Sequence, residues 1–120
     1  MNYYLGVDIG TGSAKAVAFS SEGKVLERKA VSYGMQHPAP DRSEQDPEEI
    51  YRAVCKCLEE VVAALKPGRP LLVSFSAAMH SLLVVDKDGV PLTACIIWAD
   101  NRAGGAGGRS AFLQWGAGGV

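Results

Sequence analysis

Asn2-Tyr3-Tyr4-Leu5-Gly6-Val7-Asp8-Ile9-Gly10-Thr11-Gly12-Ser13-Ala14-Lys15 opens the chain and decides how the rest of it is read. Tyr3 to Ile9 is an apolar run rich in aromatic and β-branched residues, which predicts a strand, and it carries one acid, Asp8. Gly10-Thr11-Gly12-Ser13 predicts a turn, and Ala14 to Ser20 a second strand. A turn that grips phosphate needs inward-pointing backbone N–H groups with no side chain in the way. Glycines allow that approach, and hydroxyls add donors. Asp8, at the end of its strand, can hold Mg²⁺ or its waters against a ligand's phosphates. Lys15 supplies positive charge nearby.

Gly-x-Gly by itself is a weak signal, since a plain hairpin turn also favours Gly10 and Gly12. A Rossmann turn would need a third glycine where Lys15 stands, and a helix where the second strand follows. A P-loop is excluded, because no Gly-Lys-Ser or Gly-Lys-Thr ends the stretch. From these residues alone, a phosphate site and a plain hairpin both stand open.

The chain has 120 residues, 48% of them hydrophobic, enough for one core and no more than one domain. A net charge of −1 gives no general attraction to nucleic acid or to an anionic membrane. No run approaches the ~18 apolar residues of a membrane helix. The N-terminus starts directly on a strand, without the basic and apolar regions of a signal peptide. Three cysteines, an odd number, argue against a disulfide framework. Cys55 and Cys57 fall on roughly opposite faces of a predicted helix, so they cannot chelate one metal together. Reduced thiols in a cytoplasmic protein are the expectation.

Ser21-Glu22-Gly23-Lys24 predicts a hairpin turn and Val25 to Val31 a third strand, giving three sequential antiparallel strands. Tyr33 to Ser43 is a polar loop with Pro38 and Pro40, and its His37 is read as solvated. Asp46-Pro47-Glu48-Glu49 starts a helix. Asp46 caps it, Pro47 suits the first helical position, and Glu49 completes a capping box. Ile50, Val54, Leu58, Val61 and Leu65 recur every three or four residues, the buried stripe of an amphipathic helix running to about Lys66. Pro67-Gly68 stops it. Its acids Glu48, Glu49, Glu59 and Glu60 form a solvated face.

Leu71 to Ser76 is expected as a buried strand returning parallel to the first. Leu82–Asp86 and Pro91–Trp98 are expected to form a hairpin turning at Asp88-Gly89. Strands, crossover helix and strand together predict an α/β layer architecture with a mixed sheet. Past Ala103 the composition changes, and seven of the 14 glycines lie between Gly104 and Gly119. Such a segment cannot bury enough surface to offset its ordering entropy. It is a flexible linker or a non-native product of truncation or frameshift, and the second is favoured. The expected organisation is a domain portion over 1–103 and a disordered or non-native tail over 104–120.

Two later clusters carry chemistry. Ser76-Ala77-Ala78-Met79-His80-Ser81 follows a strand's C-terminal end, where α/β proteins place ligands. Small residues leave room there, and His80 can hydrogen-bond a polyol or serve as a structural cap of the strand. Trp98-Ala99-Asp100-Asn101-Arg102 offers an aromatic face for a sugar's C–H surface, with acid, amide and guanidinium beside it. A core tryptophan followed by a polar turn remains the other explanation.

The complete opening string resembles the first phosphate motif of the actin-like ATPase (ribonuclease H-like) superfold shared by sugar kinases, actin and heat-shock chaperones. Glu44-Gln45-Asp46-Pro47, Ser74-Phe75-Ser76-Ala77-Ala78-Met79-His80-Ser81 and Trp98-Ala99-Asp100-Asn101-Arg102 follow it in order. With these blocks, residues 3–103 resemble the FGGY carbohydrate kinases, within them the gluconokinases, and the xylulokinases next. The Met79-His80-Ser81 spelling tilts the resemblance to gluconate, since xylulokinases generally follow Met-His with glycine. The resemblance implies an enzyme that phosphorylates a sugar or sugar acid at its terminal hydroxyl, with ATP and Mg²⁺. Asp8, Gly10, Thr11, Gly12, Ser13 and Lys15 match the family's phosphate motif, with Asp8 organising the metal. Met79, His80, Trp98, Asp100 and Arg102 match positions near its sugar pocket.

Members of that family are several times longer than this chain. Their catalytic aspartate and adenosine-binding half lie beyond residue 120, and no acid here matches that base. The resemblance therefore implies a truncated part of an actin-like domain, without a catalytic residue of its own and inactive alone. Its partner is a small sugar or sugar acid, not nucleic acid or membrane, and a homodimer of the full-length enzyme is left open. A xylulokinase-type pentulose kinase is the alternative within the class. A non-catalytic actin-like nucleotide-binding module is the alternative outside it, but gives no reason for Met79-His80 or for Trp98 to Arg102.

Overall fold

Alternation of apolar and polar residues along the first 32 positions builds three strands: β1 (Asn2–Ile9), β2 (Ser13–Phe19) and β3 (Val25–Ser32). The computed structural model describes residues 1–104, so the expected Gly-rich tail lies outside the described residues from residue 105 onward. After β3 come β4 (Glu44–Gln45), α1 (Pro47–Ala64), β5 (Arg69–Ala77), β6 (Cys95–Ile96) and a short 3₁₀ turn, Arg102–Gly104. The main sheet has the order β3-β2-β1-β5. β1, β2 and β3 are antiparallel neighbours, and β5 runs parallel to β1 with Asp8 opposite Ser76 and Ile9 opposite Ala77. This is the mixed α/β sheet that the sequence pattern predicts.

One face of β1 presents Tyr3, Leu5 and Val7, and the same face of β2 presents Ala14, Ala16 and Ala18, all buried. The alanines matter because their small size lets α1 lie close over β2. There the buried Cys57 thiol reaches the Ala14 carbonyl at 3.4 Å, and Val61 is fully enclosed. Burying a side chain of that size contributes roughly 1.5–3 kcal/mol. Ala53, Val54, Cys57 and Val61 form the buried line of the helix, while Ile50, Leu58, Val62 and Leu65 are half-buried at its margins. The stripe thus sits slightly round the helix from where Leu58 and Leu65 alone would put it.

Three expectations need correction. Glu49 does not complete a capping box: Asp46 accepts from the Glu48 N–H at 2.9 Å, but the Glu49 carboxylate accepts from the Gly34 N–H at 3.2 Å. The carboxylate ties the preceding loop to the helix instead of closing on its own cap. The helix ends at Ala64, with Leu65 as its C-cap, rather than at Lys66. β5 is exposed along its whole length rather than buried. It is an edge strand, and among the described residues no second layer lies over it. The expected 82–98 hairpin forms: its tip closes at Asp86–Val90 with Gly89 at φ 80°, the Leu92 N–H donates to the Val84 carbonyl at 2.8 Å, and Leu82 and Ile96 exchange two bonds of 2.8 Å. On its other edge Cys95–Ile96 pairs with Glu44–Gln45. That second small sheet, β4–β6, brings Gln45 and Trp98 to the β1–β2 turn.

Candidate phosphate and sugar site

The β1–β2 turn is a hairpin, as the glycine pattern allows: the Gly10 N–H donates to the Ser13 carbonyl at 2.9 Å. A Cβ on Gly10 would sit 3.2 Å from that carbonyl, so the closeness of the turn accounts for this glycine. Gly12 faces open space, with nothing within 4 Å of where its Cβ would be. The Gly10, Thr11 and Gly12 carbonyls of the turn are all engaged. The Tyr33 hydroxyl donates to Gly10, the Gln45 amide donates to Thr11, and the Tyr33 N–H donates to Gly12 at 3.1 Å. These peptides are trans, so the N–H groups of Thr11, Gly12 and Ser13 point away from the anchored carbonyls. These N–H groups are thus left clear of the bonds that brace the turn, and free backbone donors are what an anion needs.

Gln45 is buried, and its amide also reaches the Gly34 carbonyl at 3.3 Å. Tyr33 is buried as well. Desolvation, then the nearby Asp8 carboxylate and Cys57, push its hydroxyl above the ordinary value, which keeps it protonated as a donor. Neither residue stood out by composition. Gln45 belongs to a block that carried the family resemblance, but nothing in its spelling shows that its amide braces a turn 34 positions earlier.

Asp8 is exposed at the end of β1, and Lys15 lies opposite it on β2, so the two share a face beside the turn. Among the described residues the ion pairs are those of Arg102, which leaves Asp8 and Lys15 without a partner in each other. No cluster of three metal-binding side chains occurs among the described residues. One free carboxylate beside a donor-lined turn fits Mg²⁺, which keeps several waters and is ordinarily held by one or two carboxylates plus substrate phosphates.

Beside this turn the parallel strand β5 ends, and the Ala78 N–H continues the ladder onto the Ile9 carbonyl at 3.0 Å. Met79 and His80 follow, both exposed, with His80 at φ 61°. A non-glycine residue in that region costs on the order of 1 kcal/mol or more. The His80 side chain makes no hydrogen bond among the described residues, so it does not cap the strand.

The β4–β6 pair brings in the third cluster. Trp98 is 59% exposed, not a core residue, and its indole N–H donates to the Thr11 hydroxyl at 3.1 Å. Asp100 and Arg102 are committed to one another: Arg102 Nε and Nη2 reach the two Asp100 oxygens at 2.8 and 2.9 Å. Asp100 also accepts from the Ser43 N–H at 2.7 Å, and Arg102 pairs with Glu44 at 2.5 Å. The Arg102 contact, with the Ser43 bond, lowers the Asp100 carboxyl to about 2. This clasp fastens the Trp98 loop to β4, next to the β1–β2 turn. The structure therefore brings Trp98 to the turn and sets the end of β5 alongside β1, while Asp100 and Arg102 hold the frame.

The N-terminal domain of the FGGY family of carbohydrate kinases matches residues 3–107. A gluconokinase of Bacillus subtilis (strain 168) is 43% identical over 104 residues, which cover 87% of this chain and 20% of that protein. A xylulose kinase of Staphylococcus xylosus is 37% identical over 102 residues, covering 85% of this chain and 21% of that one. Among solved structures, a gluconate kinase from Lactobacillus acidophilus superposes with a TM-score of 0.82 at 28% identity, covering 98% of this chain and 22% of the other. The chain spans about a fifth of the length of the curated relatives it matches. With a family match across most of its length and the same fold, the chain belongs to the FGGY family of carbohydrate kinases.

Proposed function

We propose that this chain supplies the phosphate-gripping and sugar-facing opening of an ATP-dependent sugar-acid kinase of the gluconate type. The observation that carries the proposal is the turn whose Gly10, Thr11 and Gly12 carbonyls are all anchored, with Asp8 beside it and Trp98 bonded to it. Phosphoryl transfer is mostly positioning and charge neutralisation. The Thr11, Gly12 and Ser13 N–H groups and the Thr11 and Ser13 hydroxyls bind phosphate oxygens, and Lys15 adds positive charge. Gly10 keeps the turn tight. Asp8 would hold Mg²⁺ or its waters, and the charge neutralisation that the ion brings would act at the phosphates. Met79, His80 and the Trp98 face meet the polyol, with Asp100 and Arg102 holding the loop that presents the indole. The base that takes the hydroxyl proton has no candidate among these residues, so the chain alone is expected to be inactive.

Grafting residues 1–104 in place of the matching segment of the B. subtilis gluconokinase tests this. We expect ATP-dependent phosphorylation of gluconate well above that of xylulose, and no turnover from the 120-residue chain alone. Preference for xylulose would favour the pentulose alternative, which the 37% identity to a xylulose kinase keeps in view. A well-folded graft that phosphorylates neither would count against the kinase reading.

A further inference from the structure

Thr11 and Trp98 are 87 positions apart, yet their side chains are joined by one hydrogen bond of 3.1 Å. An indole N–H can only donate, so the Thr11 oxygen accepts and its own proton must find another acceptor. The backbone on either side of that hydroxyl is already fixed, by the Gln45 amide on the Thr11 carbonyl and by Tyr33 on Gly10 and Gly12. A threonine side chain is stiff about its first torsion. With backbone and oxygen both held, the remaining freedom is rotation of the O–H. Trp98 itself is more than half exposed, so its ring face is open while its edge is tied to the turn.

We propose that Trp98 is a positioning residue for phosphate: its indole N–H sets the Thr11 hydroxyl so that this hydroxyl donates to an anion held by the turn. The proposal rests on the turn being a phosphate site. It makes the ring that faces the polyol part of the phosphate-binding unit, so occupancy at one is felt at the other, and by linkage the effect is reciprocal.

The test uses the full 120-residue chain with Trp115→Phe, which leaves Trp98 as the sole tryptophan, and inorganic phosphate as the probe. Amide resonances of Gly10 to Ser13 report phosphate binding, and the Trp98 indole N–H resonance reports the hydrogen bond. Trp98→Phe keeps the ring face and removes the donor. It should weaken phosphate roughly 5-fold, the loss of one modest hydrogen bond. In a Thr11→Val background it should weaken phosphate no further, because the two residues act as one unit. Thr11→Ser should retain both the indole shift and the phosphate affinity, whereas Thr11→Val should move the indole resonance even without phosphate. If Trp98→Phe leaves the affinity unchanged, or weakens it equally with valine at position 11, the proposal is wrong while the phosphate site stands. If the Gly10 to Ser13 amides do not respond to phosphate at all, the phosphate site falls and the proposal with it.

Discussion

On the β2 side of β1, Ala14, Ala16 and Ala18 are sealed beneath α1, whereas on the β5 side Leu71, Leu72, Val73 and Phe75 stand open to solvent. The two halves share a central strand and similar apolar content, and they differ in what covers them. Antiparallel strands joined by tight turns, with a helix that folds straight back, close their own core from local sequence. A parallel edge strand does not, because parallel strands are ordinarily covered on both faces by further layers. The candidate site straddles this border. Its β1–β2 turn belongs to the closed half and is braced by Tyr33 and Gln45, while Met79 and His80 extend from the open one.

The contrast is broken most sharply by placing the same charge in each half. Val61→Asp puts a carboxylate into the enclosed α1–sheet interface, where an unpaired buried charge costs several kcal/mol. Since a small domain's whole stability is only about 5–15 kcal/mol, we expect loss of the cooperative urea transition. Phe75→Asp sits on a strand that is 56% exposed at that residue and should change stability by no more than about 0.5 kcal/mol. Equal damage at both positions would mean that β5 is covered in solution.

A gentler pair sharpens the same comparison. Leu58→Ala, at the half-buried margin of α1, should cost about 2 kcal/mol, the low end of the range for core leucines. Leu71→Ala should stay within about 0.5 kcal/mol. A loss below half a kcal/mol at Leu58 would show that the helix is not docked as described.

These differences also explain what could be foreseen from the residues. The strands of the closed half were legible because alternation and turn glycines are local signals, and Asp46-Pro47 marked the helix start. Cover was not legible: the run Leu71 to Ser76 looks the same whether or not a layer lies over it. Ala53 was missed as a core residue because it is a weak hydrophobe, though its small size, like that of Cys57, is what lets α1 approach β2. The residues of the candidate site's β1–β2 turn, Met79-His80 and Trp98 stand in the sequence as contiguous blocks. The bonds that join them were not legible, since Gln45 to Thr11 and Trp98 to Thr11 depend on the two-residue β4–β6 pairing, far too short to read from a pattern.

A milder destabilisation than Val61→Asp or Leu58→Ala concerns the clasp that holds the Trp98 loop. The Asp100 carboxyl is lowered from 3.8 to about 2, first by its bond to Arg102 and then by the Ser43 N–H. A depressed carboxyl contributes stability that is present above its unfolded value and lost as pH falls through its folded one. Asp100→Asn should therefore lower Tm by about 4 °C or less at neutral pH. The difference from the parent should shrink as pH drops from about 4 towards 2. A difference that stays constant through that window would mean that the charge of Asp100 is not what fastens the loop.

The central claim, that the β1–β2 turn with Asp8 is the phosphate and Mg²⁺ end of the site, is tested most directly by Asp8→Asn in the gluconokinase graft. The substitution keeps the shape and removes the charge. We predict that kcat and kcat/KM fall together, by at least ~10²-fold as for other single electrostatic stabilisers, with the KM for gluconate little changed. A raised KM for gluconate with kcat intact would contradict the account, because Asp8 would then hold the sugar rather than the phosphates.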